Sequence, residues 1–474
     1  MKSYSEIKEI LIKYGQEHLL GFWDRLDEAG KNNLLSQLDA IDFDEMRRLI
    51  GEYVLRRPET ALPDDLAPAG WFPRRPAPEN ADLYRRAEAR GRELLAAGKV
   101  AFLTVAGGQG TRLGYNAPKG TYPIGPLTGR SLFGYFAGTI KKVSQKYGCS
   151  PVWYVMTSAI NRADTEAFFE KENFFGLERN RVFFFTQGSM PAVGLDGKLL
   201  LAREDSLALS PNGHGGTLLA LRKSGALDRM KADSAEVISY FQVDNPLAPM
   251  ADPLFIGLHD LEKSEMSAIV LIKTGPMEKL GNFCVSGGRT QIIEYSDLPE
   301  DLANRRKADG SLFFAAGSPA IHMISRKFVE DLTAGGSLRL PWHRADKKVP
   351  CLDASGSLIQ PSVPNAVKLE SFIFDALPLA GKTMLLEGER AFCFAPTKNA
   401  TGVDSVESCR AMLLARDAAW LEEAGVKVER TADGTAAGQA EISPELAVEP
   451  ADLREVVASR GLKTLSAGDR ITLD

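Results

Sequence analysis

Residues 101–120 read AFLTVAGGQGTRLGYNAPKG, an apolar run that empties into three glycines and carries two cations, Arg112 and Lys119, on the loop that follows. The apolar run predicts a buried strand. Glycines at its end let backbone N–H groups close around an anion, because no Cβ blocks the approach and a left-handed backbone costs little. Val105, Ala106, Gly107, Gly108, Gly110 and Thr111 form the candidate cradle, with Arg112 and Lys119 as the charges that would meet a polyphosphate. Two other glycine loops fail on spacing. Walker A needs Gly-x-x-x-x-Gly-Lys-Ser/Thr, but Lys119 precedes Gly120 and no hydroxyl residue follows it directly. The dinucleotide fingerprint Gly-x-Gly-x-x-Gly fails because Gly108-Gln109-Gly110 meets its next glycine only at Gly114.

Outward from this stretch, apolar runs at 101–105, 152–156, 182–185, 237–243 and 268–272 alternate with helical patterns near 131–147, 164–173, 217–230 and 252–263. Continuous apolar strands separated by helices predict an α/β fold with a doubly wound, mostly parallel sheet, in which ligands bind beyond the carboxyl ends of the strands. The glycine loop and Val243-Asp244-Asn245 both follow such strands and are expected to line one crevice. Upstream, Ser3-x-x-Glu6 reads as a capping box ahead of Ile7, Ile10, Leu11 and Tyr14 at helical spacing, and helical patterning continues to Val54. Six prolines between 58 and 78 exclude helix and predict an extended connector, with helix resuming over 83–97. After residue 400, a helical stretch at 405–424 and short β-like runs such as 426–428 and 470–473 predict a small C-terminal domain. The expected organisation is an N-terminal helical segment and connector at 1–98, a Rossmann-like catalytic domain at 99–400 and a β-containing domain at 401–474.

Composition narrows the function classes. The 57 basic and 62 acidic residues leave a net charge of −5, which offers no general basic surface to nucleic acid, so an anionic substrate needs a local cluster of cations. Five widely spaced cysteines without a Cys-x-x-Cys pair read as free thiols in a reducing compartment. No apolar stretch approaches the ~18 residues that span a bilayer, and the N-terminus has no signal-peptide character. A soluble cytoplasmic protein without a membrane or nucleic-acid partner is expected.

Asp244 ends the apolar run at 237–243, where a carboxylate can hold Mg²⁺ in the usual manner, one or two carboxylates with phosphate oxygens completing the shell. His214 sits in Gly213-His214-Gly215-Gly216, a pattern also found in hydrolase oxyanion loops, yet the chain has no Gly-x-Ser-x-Gly nucleophile elbow.

GGQGTRLG with PKG resembles the signature of the eukaryotic-type UDP-sugar pyrophosphorylases, most closely their UDP-N-acetylglucosamine (UDP-N-acetylhexosamine) branch. Further matches run in the family's order: GQEHLLGFWDRL at 15–26, VWYVMTS at 152–158, FFTQGSMPA at 184–192, PNGHGG at 211–216, VDNPLAPMADPLFIG at 243–257, IEYSD at 293–297, VKLESFIFD at 367–375 and PTKNA at 396–400. The resemblance implies a Mg²⁺-dependent uridylyltransferase that joins UTP to a hexose 1-phosphate and releases pyrophosphate. It implies that Lys119 and Lys398 contact phosphates, that Asp244 holds the metal, that Gln187 and Gly213 meet uracil, and that Glu294 and Tyr295 meet sugar hydroxyls. The chain departs from the N-acetylhexosamine branch at His214, where those relatives carry Asn, and at Ala315-Ala316-Gly317-Ser318, where they carry Asn-Ala-Gly-Asn. Three amides near the sugar are absent. N-acetylglucosamine 1-phosphate and glucose or galactose 1-phosphate therefore both stand as substrates, and a catalytically silent nucleotide-sugar sensor stands as the non-enzyme alternative.

Overall fold

The computed structural model describes residues 1–57 and 62–474, so the first residues of the proline-rich connector, 58–61, lie outside the described residues. The chain forms two compact units whose membership does not follow chain order. The smaller comprises Met1–Leu62, Gln187–Gly216 and Arg339–Ile373, and the larger comprises Pro63–Thr186, Thr217–Leu338 and Phe374–Asp474.

In the smaller unit, α1 (Tyr4–Tyr14) starts as the sequence predicts, with Ser3 and Glu6 forming a reciprocal capping box and Ile7 and Leu11 buried. Then come α2 (Glu28–Asp39), α3 (Phe43–Leu49) and a π-helical turn at Ile50–Val54. Their apolar faces share one core with Val193, Leu199, Leu201, Leu207, Val367 and Leu369. The strands at Val193–Gly194, Ala366–Glu370 and His343–Lys347 pair antiparallel in that unit.

The larger unit is built on an eleven-stranded sheet. Its parallel core consists of β1 (Val100–Val105), β2 (Trp153–Thr157), β3 (Val182–Thr186) and β4 (Val237–Gln242), in the spatial order β4-β1-β2-β3. Every residue of β1 and β2 is buried, as continuous apolar runs require. Beyond β4 the sheet takes in β5 (Met266–Ile272), β6 (Gly281–Ser286), β7 (Arg289–Ile293), β8 (Ala316–Ser318), β9 (His322–Ser325) and β10 (Thr383–Glu387). Here β9 runs antiparallel between β4 and β5, while β10 pairs parallel with β5. The connector contributes a short strand at Ala67–Pro68, paired with β6. The α/β prediction holds, and the parallel strands lie within two residues of the predicted runs. The helical pattern at 217–230 is two helices, Thr217–Lys223 and Ala226–Ala232, broken where Gly225 takes φ +77°.

The longer helices of this unit include α4 (Ala81–Ala96), α5 (Leu132–Tyr147), α6 (Arg162–Lys171), α7 (Pro253–Leu261) and α8 (Val406–Glu423), each within a few residues of its predicted place. Residues of α8 and of 426–473 share a separate apolar cluster that includes Leu421, Val428, Ile442, Leu453 and Leu473. All five cysteines are free thiols. No helix among the described residues is long and apolar enough to cross a membrane.

Candidate active site

Parallel register decides where the glycine loop and Asp244 fall. Val237–Gln242 pairs with Val100–Val105 residue for residue, so β1 and β4 end side by side, and Val243 N–H donates to the Val105 carbonyl at 3.1 Å. The glycine loop and Asp244 therefore leave the sheet at the same edge.

The carbonyls of the loop are spoken for. Asn161 Nδ2 donates to Ala106 O at 2.8 Å and to Gly108 O at 3.3 Å, and Ser158 Oγ donates to Gly107 O at 2.8 Å. Lys119 N–H also donates to Gly108 O, at 3.1 Å. By contrast, the amides of Gly107, Gly108 and Gln109 donate to no acceptor among the described residues. Carbonyls held back and amides left over are what an anion cradle needs. Ser158 and Asn161 were not foreseen as site residues. The available signal was their type and place: short polar side chains directly after the strand that neighbours the glycine loop. The glycines also serve a different purpose from the one expected. Left-handed backbone occurs at Gly114 (φ +69°), while Gly110, at φ −79°, is required by close approach, since a Cβ there would sit 2.8 Å from the Tyr115 ring. A Cβ on Gly108 would meet nothing within 4 Å, so that face of the loop is open.

Lys119 and Asp244 come together as predicted. Their side chains, 15% and 17% exposed, form an ion pair at 3.9 Å. A third segment joins them from far along the chain: Thr397 N–H donates to Asp244 O at 2.9 Å, and Thr397 O accepts Lys119 Nζ at 3.1 Å. PTKNA is thereby pinned against both residues. The Lys398 ammonium itself lies 3.6 Å from Asp404 and 5.7 Å from the centre of the Phe394 ring. Arg112 is exposed on a single 3₁₀ turn, with no hydrogen bond or ion pair from its guanidinium among the described residues. It is an exposed cation on the turn that follows the glycine loop and takes no part in the hydrogen bonds that hold that loop. In the same unit, Ser318 stands opposite Gly281 in the β6–β8 ladder. A Cβ on Gly281 would fall 3.2 Å from Glu294 Oε1, so Glu294 and Ser318 flank that glycine, while Tyr295 is exposed.

In the smaller unit, the two residues expected to meet uracil are brought together. Ser189 pairs with Pro211 in an antiparallel ladder and Asn212 N–H donates to Gly188 O at 3.0 Å, a register that sets Gln187 opposite Gly213. Gly213 takes φ +86°, and a Cβ there would lie 2.3 Å from Ser371 O, so only glycine fits. The motif at 367–375 is what it packs on: Gly215 N–H donates to Ser371 O and Ile373 N–H donates to His214 Nδ1 at 3.1 Å. His214 stacks on Phe372 at 5.1 Å, and Phe372 on His343 at 4.2 Å. Burial, with His343 nearby, pushes the His214 imidazole down to about 4, so it is neutral at pH 7 with its proton on Nε2. A histidine harder to protonate when folded adds stability above its ordinary range, near pH 6.5, and loses it as the pH falls toward 4. Urea unfolding at pH 7 and pH 5 is expected to show a larger acid loss for wild type than for His214→Asn; equal losses would mean that His214 is not buried neutral.

Residues 73–435 match the UTP–glucose-1-phosphate uridylyltransferase family. The chain belongs to that family. Among its relatives, the human UDP-N-acetylhexosamine pyrophosphorylase-like protein 1 is 36% identical over 442 residues, covering 90% of this chain and 87% of the human protein. The UDP-N-acetylglucosamine pyrophosphorylase of Saccharomyces cerevisiae is 32% identical, covering 90% and 92%. The crystal structure of the Trypanosoma brucei uridine diphosphate N-acetylglucosamine pyrophosphorylase superposes with a TM-score of 0.80 at 25% identity, covering 98% of this chain and 99% of that one. Family membership agrees with the resemblance read from the motifs and with the strand-end placement of the glycine loop.

Proposed function

We propose that the chain is a Mg²⁺-dependent uridylyltransferase that forms UDP-N-acetylglucosamine and pyrophosphate from UTP and N-acetylglucosamine 1-phosphate. The observation that carries this reading is the joining of Lys119, Asp244 and Thr397 beside a loop whose amides at 107–109 donate to no acceptor among the described residues. Attack of a sugar 1-phosphate oxygen on the α-phosphorus brings two polyanions together, so catalysis is chiefly positioning and charge neutralisation. In this reading the amides of 107–109 and Lys119 hold the triphosphate, and Arg112 and Lys398 meet charge on the departing pyrophosphate. Gln187 and the Gly213 backbone read the uracil edge, and His214, Glu294, Tyr295 and Ser318 face the sugar.

The residues fit magnesium. No group of three or more His, Cys, Asp or Glu among the described residues could hold a metal alone, and a lone strand-end carboxylate suits an ion whose remaining ligands are phosphate oxygens and water. When bound, Mg²⁺ would neutralise phosphate charge; Asp244 would hold it. Lys119 lies against this carboxylate, within reach of the same phosphates.

A second sugar is favoured by specific residues. His214, Ala315 and Ser318 lack the amides that relatives of the N-acetyl branch carry, which favours glucose or galactose 1-phosphate. Relatives of 32–36% identity over most of the chain bear N-acetylhexosamine names, and this favours the first reading. Pyrophosphate release, measured with UTP and the three sugar phosphates side by side, separates them. N-acetylglucosamine 1-phosphate is expected to lead by ~100-fold in kcat/KM, equivalent to about 2.7 kcal/mol. Glucose or galactose 1-phosphate within ~10-fold of it would transfer the assignment to them. UTP is expected to outperform ATP by ~10³-fold, since a pocket built for a hydrogen-bonding edge rejects a base that lacks it. No pyrophosphate with any pair would leave the silent sensor.

A further inference from the structure

Asn245, the neighbour of Asp244, is 3% exposed, and its side-chain amide makes two hydrogen bonds to a segment some 150 residues away. Its Nδ2 donates to Cys393 O at 2.9 Å, and its Oδ1 accepts Ala395 N–H at 2.9 Å. A primary amide is a planar donor–acceptor pair, so it can stand in for a peptide group of a neighbouring strand. The segment responds as a strand would. Phe394 is extended at φ −145°, ψ 103°, and the residues that bond to the Asp244-Asn245 dipeptide are 393, 395 and 397, the period of an extended chain. Cys409 Sγ, on α8, reaches Ala395 O at 3.0 Å from the other side.

We infer that Asn245 is a positioning residue for phosphate transfer: its amide fixes the offset of the 395–398 segment, and so of the Lys398 cation and the Thr397 carbonyl that holds Lys119, relative to the Asp244 carboxylate. The inference rests on the phosphate and metal roles proposed for Lys119, Lys398 and Asp244. Asn245 touches no reacting group; it acts through the cations. A carboxylate that holds a metal and cations that hold phosphates must keep their spacing within about an ångström, and a shift of that size costs on the order of 10²-fold in rate. Two short bonds from one buried side chain supply that constraint where three separate stretches of sequence meet.

The test is a double-mutant cycle on the full-length protein, read as steady-state pyrophosphate release with UTP, Mg²⁺ and N-acetylglucosamine 1-phosphate. Asn245→Ala is expected to lower kcat ~30-fold or more while the KM for UTP changes by less than ~3-fold, because the cradle at 107–109 is untouched. In a Lys398→Ala background the same substitution is expected to cost several-fold less than in the wild-type background, since one of the two cations it positions is already gone. Equal factors in the two backgrounds would overturn the inference, as would a folded Asn245→Ala protein with wild-type kcat. Lys398→Ala alone at the wild-type rate would instead indict the role given to Lys398, which separates the two failures. Should Asn245→Ala not fold, Asn245→Asp takes its place: it is isosteric, keeps the acceptor for Ala395 and removes the donor to Cys393, and it is held to the same non-additivity.

Discussion

Asp244→Asn is expected to fold as the wild type does and to lose turnover by roughly 10³-fold, equivalent to about 4 kcal/mol of transition-state stabilisation. The substitution is nearly isosteric, and the framework bond at this position uses the backbone: Thr397 N–H donates to Asp244 O and not to the carboxylate. What disappears is one negative charge, the proposed anchor for Mg²⁺ and the partner of the Lys119 ammonium. Circular dichroism checks the fold, and kcat measured across a Mg²⁺ titration checks the role. Near wild-type turnover at saturating Mg²⁺ would remove the metal assignment.

Lys119→Ala carries the second large effect, a fall of ~10²–10³-fold in kcat/KM for UTP, because a charge–phosphate contact is lost in both the ground and the transition state. Its side chain is 15% exposed and already serves Asp244 and Thr397 O, so its removal also leaves a part-buried carboxylate without its counter-charge. Lys119→Arg is expected to recover only part of the loss, since a planar fork cannot replace a compact ammonium between a carboxylate and a carbonyl. Initial rates over a UTP series measure both variants. A kcat/KM within ~3-fold of wild type for Lys119→Ala would take Lys119 out of the nucleotide site.

Much of the larger unit was legible because its information is local. A parallel strand buried on both faces is predominantly apolar, so β1, β2 and β4 announce themselves, and the glycine loop after β1 and Asp244 after β4 mark the end of the sheet where the candidate site lies. Strand β9 carried no such mark. It is four residues long, includes His322, and becomes a strand only because β4 and β5 flank it. The partners of the N-terminal helices were equally hidden, since Val193 and Val367 reach Ile7 and Leu34 across intervals that no periodicity spans. In the site, residue types were readable and their pairings were not. Lys119 and Asp244 could be named from strand ends, but nothing in PTKNA says that Thr397 bridges them or that Lys398 pairs with Asp404. Ser158 and Asn161 show the converse, ordinary turn formers whose role exists only because their strand lies next to the glycine loop.

The Thr397 bridge also sets a schedule for synthesis. Lys119 and the carbonyl it grips are 278 residues apart, so a ribosome working at ~5–20 residues per second needs roughly 15–55 s to deliver the second after the first. Through that interval the nascent chain can assemble β1 to β4 and display the glycine loop, but it has no bridge between Lys119 and Asp244. Products that end before residue 397 would lack the same contact. The contact between Lys119 and Thr397 thus forms only after residue 397 has been made.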